Sequence, residues 1–452
     1  MRLAVISDVH FGDELCTLVS DGPDGQPTIG PAYPALRRVL GRVDYLVLLG
    51  DILDFSVASY EEAYRAARAF FVRAQEDELA REVVYVPGNH DFDIWHTVEH
   101  QVNVINQLKQ GQLPRAFKRS VPGVIDDRPA ASRGRLLLPD VAPRPEWHED
   151  RSPYGSLFLD HITRRWGGEG RRPVGRKLTI DFAYPNLYLV AEDGESVLLT
   201  HGHYFEAFWA AAAEWALLLA REDLPLEGGS EPSIRDLVGL NLPLNHLGSA
   251  GIGQAHPLTR VARLVHREVT AGQTGLVARY LDRLEAALRG SRRLWSPVDL
   301  LRRAGLRWLK RRVLESLRGV EQTRYSREFL GRPPVRERFR SYYRASLREL
   351  DRLRDEHGID LPAPSSVVFG HTHQPIPWGS DELTDTVDGR VVRFCNTGGF
   401  LLKEEPAGRT RFVGAEVVLY ETGRGLWSEA IRADDLETAA AERGQVLTTE
   451  SA

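Results

Sequence analysis

Tyr45-Leu46-Val47-Leu48-Leu49-Gly50-Asp51-Ile52-Leu53-Asp54 is the stretch on which the fold turns. The apolar run from Tyr45 to Leu49 reads as a strand. Gly50 ends it, lets the backbone turn tightly and brings the carboxylates of Asp51 and Asp54 in close. The same layout recurs on both sides. Leu3-Ala4-Val5-Ile6-Ser7 leads into Asp8-Val9-His10, and Val83-Val84-Tyr85-Val86 leads through Pro87-Gly88 into Asn89-His90-Asp91. Ser196-Val197-Leu198-Leu199-Thr200 feeds His201-Gly202-His203, and Ser366-Val367-Val368-Phe369 delivers Gly370-His371-Thr372-His373.

A helical pattern over 60–81 separates the second strand from the third, so the first hundred residues read as βαβ units. The runs at 391–395 and 416–420 continue the sheet. Donor side chains therefore fall at strand ends, where open α/β sheets bind ligands. Asp, Asn and His are the oxygen and nitrogen donors that borderline divalent metals prefer. One such motif is weak evidence; five in series make a two-metal hydrolytic site the leading reading.

The composition is that of a globular protein with room for more than one structural unit: 452 residues, 42% hydrophobic and 27% charged. A formal net charge of -5 argues neither for nor against an anionic partner. Arg greatly outnumbers Lys and Met1 is the sole methionine, a pattern of GC-rich coding that discounts Arg abundance as a signal. Cys16 and Cys395 lie in no paired-cysteine motif, so neither a disulfide framework nor a zinc ribbon is expected, and a cytoplasmic location fits. The first strand begins almost at Met1, leaving no room for a signal peptide. The most apolar segment, 207–220, is shorter than the ~20 residues of a membrane span. With apolar residues all round its axis it reads as a buried helix.

Residues 110–180 read as loops with short helices. Residues 205–364 break the α/β pattern and are strongly helical. Phe339, Tyr342, Tyr343, Leu347, Leu350 and Leu353 form one apolar stripe, with Arg340, Arg344, Arg348 and Arg352 on the other side. The plain reading is a cap helix with a solvated basic face. Basic residues outnumber acidic ones over 260–354, most densely at 299–318.

The five motifs together resemble the calcineurin-like metallophosphoesterase superfamily, whose pattern is Asp-x-His, Gly-Asp-x-x-Asp, Gly-Asn-His-Asp/Glu, a His often followed by Gly, and Gly-His-x-His. All five stand here in order and without substitution. The resemblance implies an α/β fold, a metallophosphoesterase-type β-sandwich flanked by helices; the helical stretch between the fourth and fifth motifs is outside the shared core and reads as a large helical cap insertion. Its expected division is a catalytic core at 1–204 and 365–432, a cap at 205–364 and a polar tail at 433–452. It also implies two divalent metal ions, manganese by default, with iron, zinc, cobalt or nickel as alternatives. Asp8, His10 and His373 would hold one; Asn89, His201 and His371 the other; Asp51 would bridge both. His90 would face the substrate as general acid, with Asp54 paired to it. Asp91 would anchor its loop, and His203 is open between a supporting role and a substrate-facing one. Asn396 in Asn396-Thr397-Gly398-Gly399 resembles the family's Asn-x-Gly turn near the metals, or is a plain tight turn. His96 and His100, spaced i,i+4 after the third motif, read as helix-surface residues or supports of the site, and His148, His161, His246, His256, His266 and His357 as ordinary structural histidines.

The expected reaction is hydrolysis of a phosphate ester or anhydride, a metal-bridging hydroxide attacking phosphorus in line. The helical insertion suits a large, partly apolar phosphate substrate, and peripheral membrane contact goes with that. A UDP-diacylglucosamine pyrophosphatase-like activity is one alternative. A nuclease or phosphodiesterase acting on nucleic acid is another, though the position of the insertion counts against it. An inactive scaffold on the same fold is a third, disfavoured because no motif residue is lost.

Overall fold

In the computed structural model, alternation along the first strand sets the layering. Leu3 and Val5 enter one buried cluster, Ala4 and Ile6 another, as a side-chain period of two dictates. The description covers residues 1–129, 134–141, 178–229, 231–251, 328–380, 383–405 and 409–442, with short pieces between 254 and 326.

Two sheets carry the fold among these residues. The first runs, edge to edge, Gly425–Ile431, Ala415–Glu421, Arg2–Ile6, Val43–Leu49, Ala80–Val86 and Thr179–Phe182. The second runs Thr384–Val387, Arg390–Asn396, Ser366–Phe369, Ser196–Thr200, Asn186–Val190, Gly123–Asp126 and Leu136–Leu137. Val47, Leu49 and Val84 of the first sheet share a cluster with Leu187, Leu189, Val197, Leu199 and Val368 of the second, so the sheets pack face to face. Phe70 and Phe71 of the helix Tyr60–Glu76 and Phe339 and Tyr342 of the helix Pro333–His357 join the cluster on the other faces. This is the metallophosphoesterase-type α/β sandwich expected from sequence.

Several local expectations need correction. The helix expected over 60–81 ends at Glu76. Glu78 takes a left-handed φ of 50°, and Ala80–Val86 is drawn into parallel pairing with Val43–Leu49. Sheet pairing overrides local helix propensity there. The described part of 110–180 holds the strands Gly123–Asp126 and Leu136–Leu137 and the start of Thr179–Phe182, and no short helix. The helix Ala207–Ala220 is only half buried: Trp215, Leu218 and Leu219 are 61%, 80% and 82% exposed.

The basic face of the Pro333–His357 helix is part-exposed, as expected, and each of its arginines is also paired with a carboxylate. Arg340 binds Asp385, Arg344 binds Asp388, Arg348 binds Glu231 and Arg352 binds Asp140. Of the polar tail, Ala433–Glu442 is a helix. The segment 299–318, most of the basic stretch 260–354, His148, His161, His256 and His266 lie outside the described residues. No helix among the described residues is long and apolar enough to cross a membrane.

Candidate metal centre

Each ligand-type residue stands at the carboxyl end of a parallel strand, and the loops are tied to one another through the backbone. Asp8 N–H donates to the carbonyl of Gly50 at 3.0 Å, and His10 N–H to that of Asp51 at 2.9 Å. His90 N–H donates to Asp51 Oδ1 at 2.8 Å, and His371 N–H to Asp8 Oδ1 at 3.0 Å. Asp8, His10, Asp51, His371 and His373 all hold left-handed φ angles between 51° and 67°. Non-glycine residues adopt that region at a cost, and such strain gathers where side chains must be aimed. Two glycines make room for this. A Cβ on Gly50, itself at φ 83°, would overlap the ring of His201, and one on Gly370 would overlap Asp8 Oδ2.

The structure brings the seven expected ligands together in the interior. Asp8, His10 and His373 form one compact donor group, and Asp51, His201 and His371 a second, each with its ligand atoms within 4.8 Å of one another. His373 Nε2 lies 3.2 Å from Asp8 Oδ1 and 3.2 Å from His10 Nε2. His201 Nε2 lies 3.1 Å from Asn89 Oδ1 and 3.1 Å from Asp51 Oδ2, and that same oxygen lies 3.8 Å from His10 Nε2. Asp51 therefore stands between the two groups. Asn89 is 1% exposed, and His371, the most open of the seven, is 7%.

Electrostatics point to a cation. Burial alone would raise the carboxyl of Asp51, but the charges of His201 and His90 hold it well below the usual range. Burial likewise works against Asp8, and His373 brings its carboxyl below its ordinary value. Burial would lower His201, yet Asp51 lifts it to about 9. Carboxylates that draw protons onto a buried imidazole exert the field that a divalent ion would satisfy. The tautomers suit the same end. His10 Nδ1–H donates to Asp54 Oδ2 at 2.8 Å, and His201 Nδ1–H to the carbonyl of Leu49 at 3.0 Å, so in each it is Nε2 that faces the centre and can take an ion in place of a proton. The donor set fits divalent cations.

Around this core stand the other expected residues. His90 Nδ1 lies 2.9 Å from Asp54 Oδ1 and 2.7 Å from Ser56 Oγ. Burial would raise Asp54, but the charge of His90 and hydrogen bonds from both histidines hold it well below its ordinary value. Asp91 accepts from Ile52 N–H at 2.7 Å and Gly88 N–H at 2.6 Å, so it joins two ligand loops. Asn396 donates to the carbonyl of Gly370 at 2.8 Å and pins the last ligand loop from behind. His203 is 1% exposed with neither ring nitrogen hydrogen-bonded; burial, then the charges of His201 and His371, keep it neutral. It joins neither donor group. His96 and His100 pack against each other and Phe117, and His96 also against His246, outside both groups. Sequence reading passed over Ser56 and Glu206. Glu206 carried one signal, an isolated carboxylate at the entry to the apolar run 207–220.

The calcineurin-like phosphoesterase family model matches residues 1–269. The chain belongs to that family. No curated protein shows significant similarity to it. The calcineurin-like phosphoesterase match takes in the first four motifs, and the fifth, Gly370 to His373, lies beyond it in sequence but against Asp8 in space. Membership and the buried His/Asp groups together make this a metal-dependent phosphoesterase.

Proposed function

We propose that the chain hydrolyses phosphate esters or anhydrides with two divalent ions, one at Asp8, His10 and His373, the other at Asn89, His201 and His371, and Asp51 shared. The observation that carries this reading is the place of Asp51 Oδ2, between His201 Nε2 at 3.1 Å and His10 Nε2 at 3.8 Å. When bound, two such ions polarise the phosphoryl group and activate water.

The protein's own residues supply the rest. Asp54 orients His90 through Nδ1, leaving Nε2–H to protonate the departing oxygen. Asp91 and Asn396 hold the loops of Asp51 and His371 in register. Burial excludes bulk water and strengthens each of these interactions.

A partly apolar phosphate substrate is favoured over nucleic acid. The helix Ala207–Ala220 begins beside His371, packs Trp209 6.4 Å from the ring of His203, and exposes Phe208, Trp215, Leu218 and Leu219. In contrast, the arginine row at Arg340, Arg344, Arg348 and Arg352 is already paired with carboxylates. It offers few free charges to a phosphodiester backbone.

The test is a turnover panel with added manganese, spanning monoesters, diesters, nucleotide pyrophosphates, lipid-linked pyrophosphates and single-stranded DNA, repeated after chelation. Chelator-sensitive turnover of a phosphate ester or anhydride is expected. Inactivity on every member, with manganese, iron, zinc, cobalt and nickel alike, would remove the reading.

A further inference from the structure

Three histidines of the centre share one arrangement. His10 donates from Nδ1 to Asp54, and His201 donates from Nδ1 to the carbonyl of Leu49. The third is His371, whose Nε2 lies 2.5 Å from Oε2 of Glu206. A neutral imidazole donates from one nitrogen and keeps its lone pair on the other. Glu206 therefore leaves His371 with its lone pair on Nδ1, the opposite nitrogen from that used by His10 and His201. Glu206 is 5% exposed and is not in the compact group of Asp51, His201 and His371. Its place is behind the His371 ring rather than among the ligand atoms.

The backbone of Glu206 is fixed from both sides. Its N–H donates to the carbonyl of His203 at 3.0 Å, closing the turn His203–Phe205 that follows His201. Its carbonyl accepts from Ala210 N–H at 3.1 Å, the first turn of the helix Ala207–Ala220. One residue thus joins three things: the chain leaving His201, the start of that helix, and the ring of His371.

We propose that Glu206 is the positioning residue of the second metal position, holding His371 as the Nε2-protonated tautomer that presents Nδ1 to the ion. This rests on the two-metal reading above. A carboxylate behind a histidine ligand fixes ring orientation and raises ligand basicity, and its loss typically weakens metal binding about 10–100-fold. Because Glu206 also precedes the Ala207–Ala220 helix, it couples the start of that helix directly to the ring of His371.

Two measurements test this. The first is manganese titration of the full-length protein by calorimetry, with bound metal counted by elemental analysis. Wild type should take two equivalents. Glu206→Ala should bind one with unchanged affinity and the other about 10–100-fold more weakly. Glu206→Gln, which keeps an oxygen acceptor, should recover most of the loss. Two wild-type affinities in Glu206→Ala would overturn the proposal and leave the two-metal reading standing; no uptake by wild type would remove both. The second needs no variant: imidazole nitrogen shifts of His371 in the zinc-loaded wild-type protein. A protonated Nε2 with metal on Nδ1 is expected, and metal on Nε2 overturns the proposal.

Discussion

Asp54 and His90 are joined at 2.9 Å through Oδ1 and Nδ1, in a site where Asp54 is fully buried. The other oxygen of the same carboxylate holds His10 Nδ1 at 2.8 Å. One acid therefore supports two histidines together, His10, proposed as a metal ligand, and His90, proposed as the proton donor. His90→Ala should keep both metals and lose about 10²–10⁴ in kcat. Asp54→Asn should lower kcat and weaken metal binding as well. Steady-state rates set beside metal content separate the two; a His90→Ala enzyme of wild-type speed would show the proton-donor role to be wrong.

One oxygen of Asp51, Oδ2, lies within 4 Å of imidazole nitrogens from both donor groups, His201 Nε2 at 3.1 Å and His10 Nε2 at 3.8 Å. On the proposed two-metal reading, Asp51→Asn removes a charge shared between the two positions, so metal content should fall below two equivalents and turnover should collapse. Elemental analysis after gel filtration reads this directly. Full occupancy in the variant would contradict the shared role.

Phe339 ties the Pro333–His357 helix to the second sheet. It is fully buried, with ring centroids 4.6 Å from Phe394, 5.6 Å from Phe205 and 5.8 Å from Tyr343. Phe339→Ala should cost about 3–5 kcal/mol through lost contacts and the cavity left behind. Urea unfolding measures this, and a loss under 1 kcal/mol would mean that the site collapses to fill the gap.

Asp140 gives a pH-dependent case away from the proposed metal positions. Burial would raise its carboxyl, but hydrogen bonds from Arg352 at 2.8 and 2.9 Å, then the charges of Arg352 and Arg235, hold it below its ordinary value. A depressed folded pKa contributes stability that is fully present above the unfolded value near 3.8 and fades as pH falls through the folded value. Asp140→Asn should cost about 1–2 kcal/mol at neutral pH, allowing for solvent screening. The gap to wild type should shrink below pH 4. Denaturant midpoints across that range test the sign; a gap that widens in acid would reverse it.

The strands and the ligand motifs were legible in the sequence because both are local. An apolar run followed by glycine and a donor needs only neighbouring residues to be read, and Ser196–Thr200 and Ser366–Phe369 fall where the pattern put them. The ends of the 60–81 helix and the setting of 207–220 were less legible, because strand pairing and the packing of distant helices decided them.

By itself, then, the sequence determined which side chains are available and at which strand ends they emerge, since strand period and residue chemistry are properties of short stretches. Tertiary structure alone decided which of them meet. His371 reaches Asp8 across 363 residues, Asp54 is divided between His10 and His90, Glu206 lies behind His371, and the arginines of the Pro333–His357 helix find carboxylates on other elements. Those contacts follow from how two sheets and their helices pack, and packing acts between segments that no local pattern links.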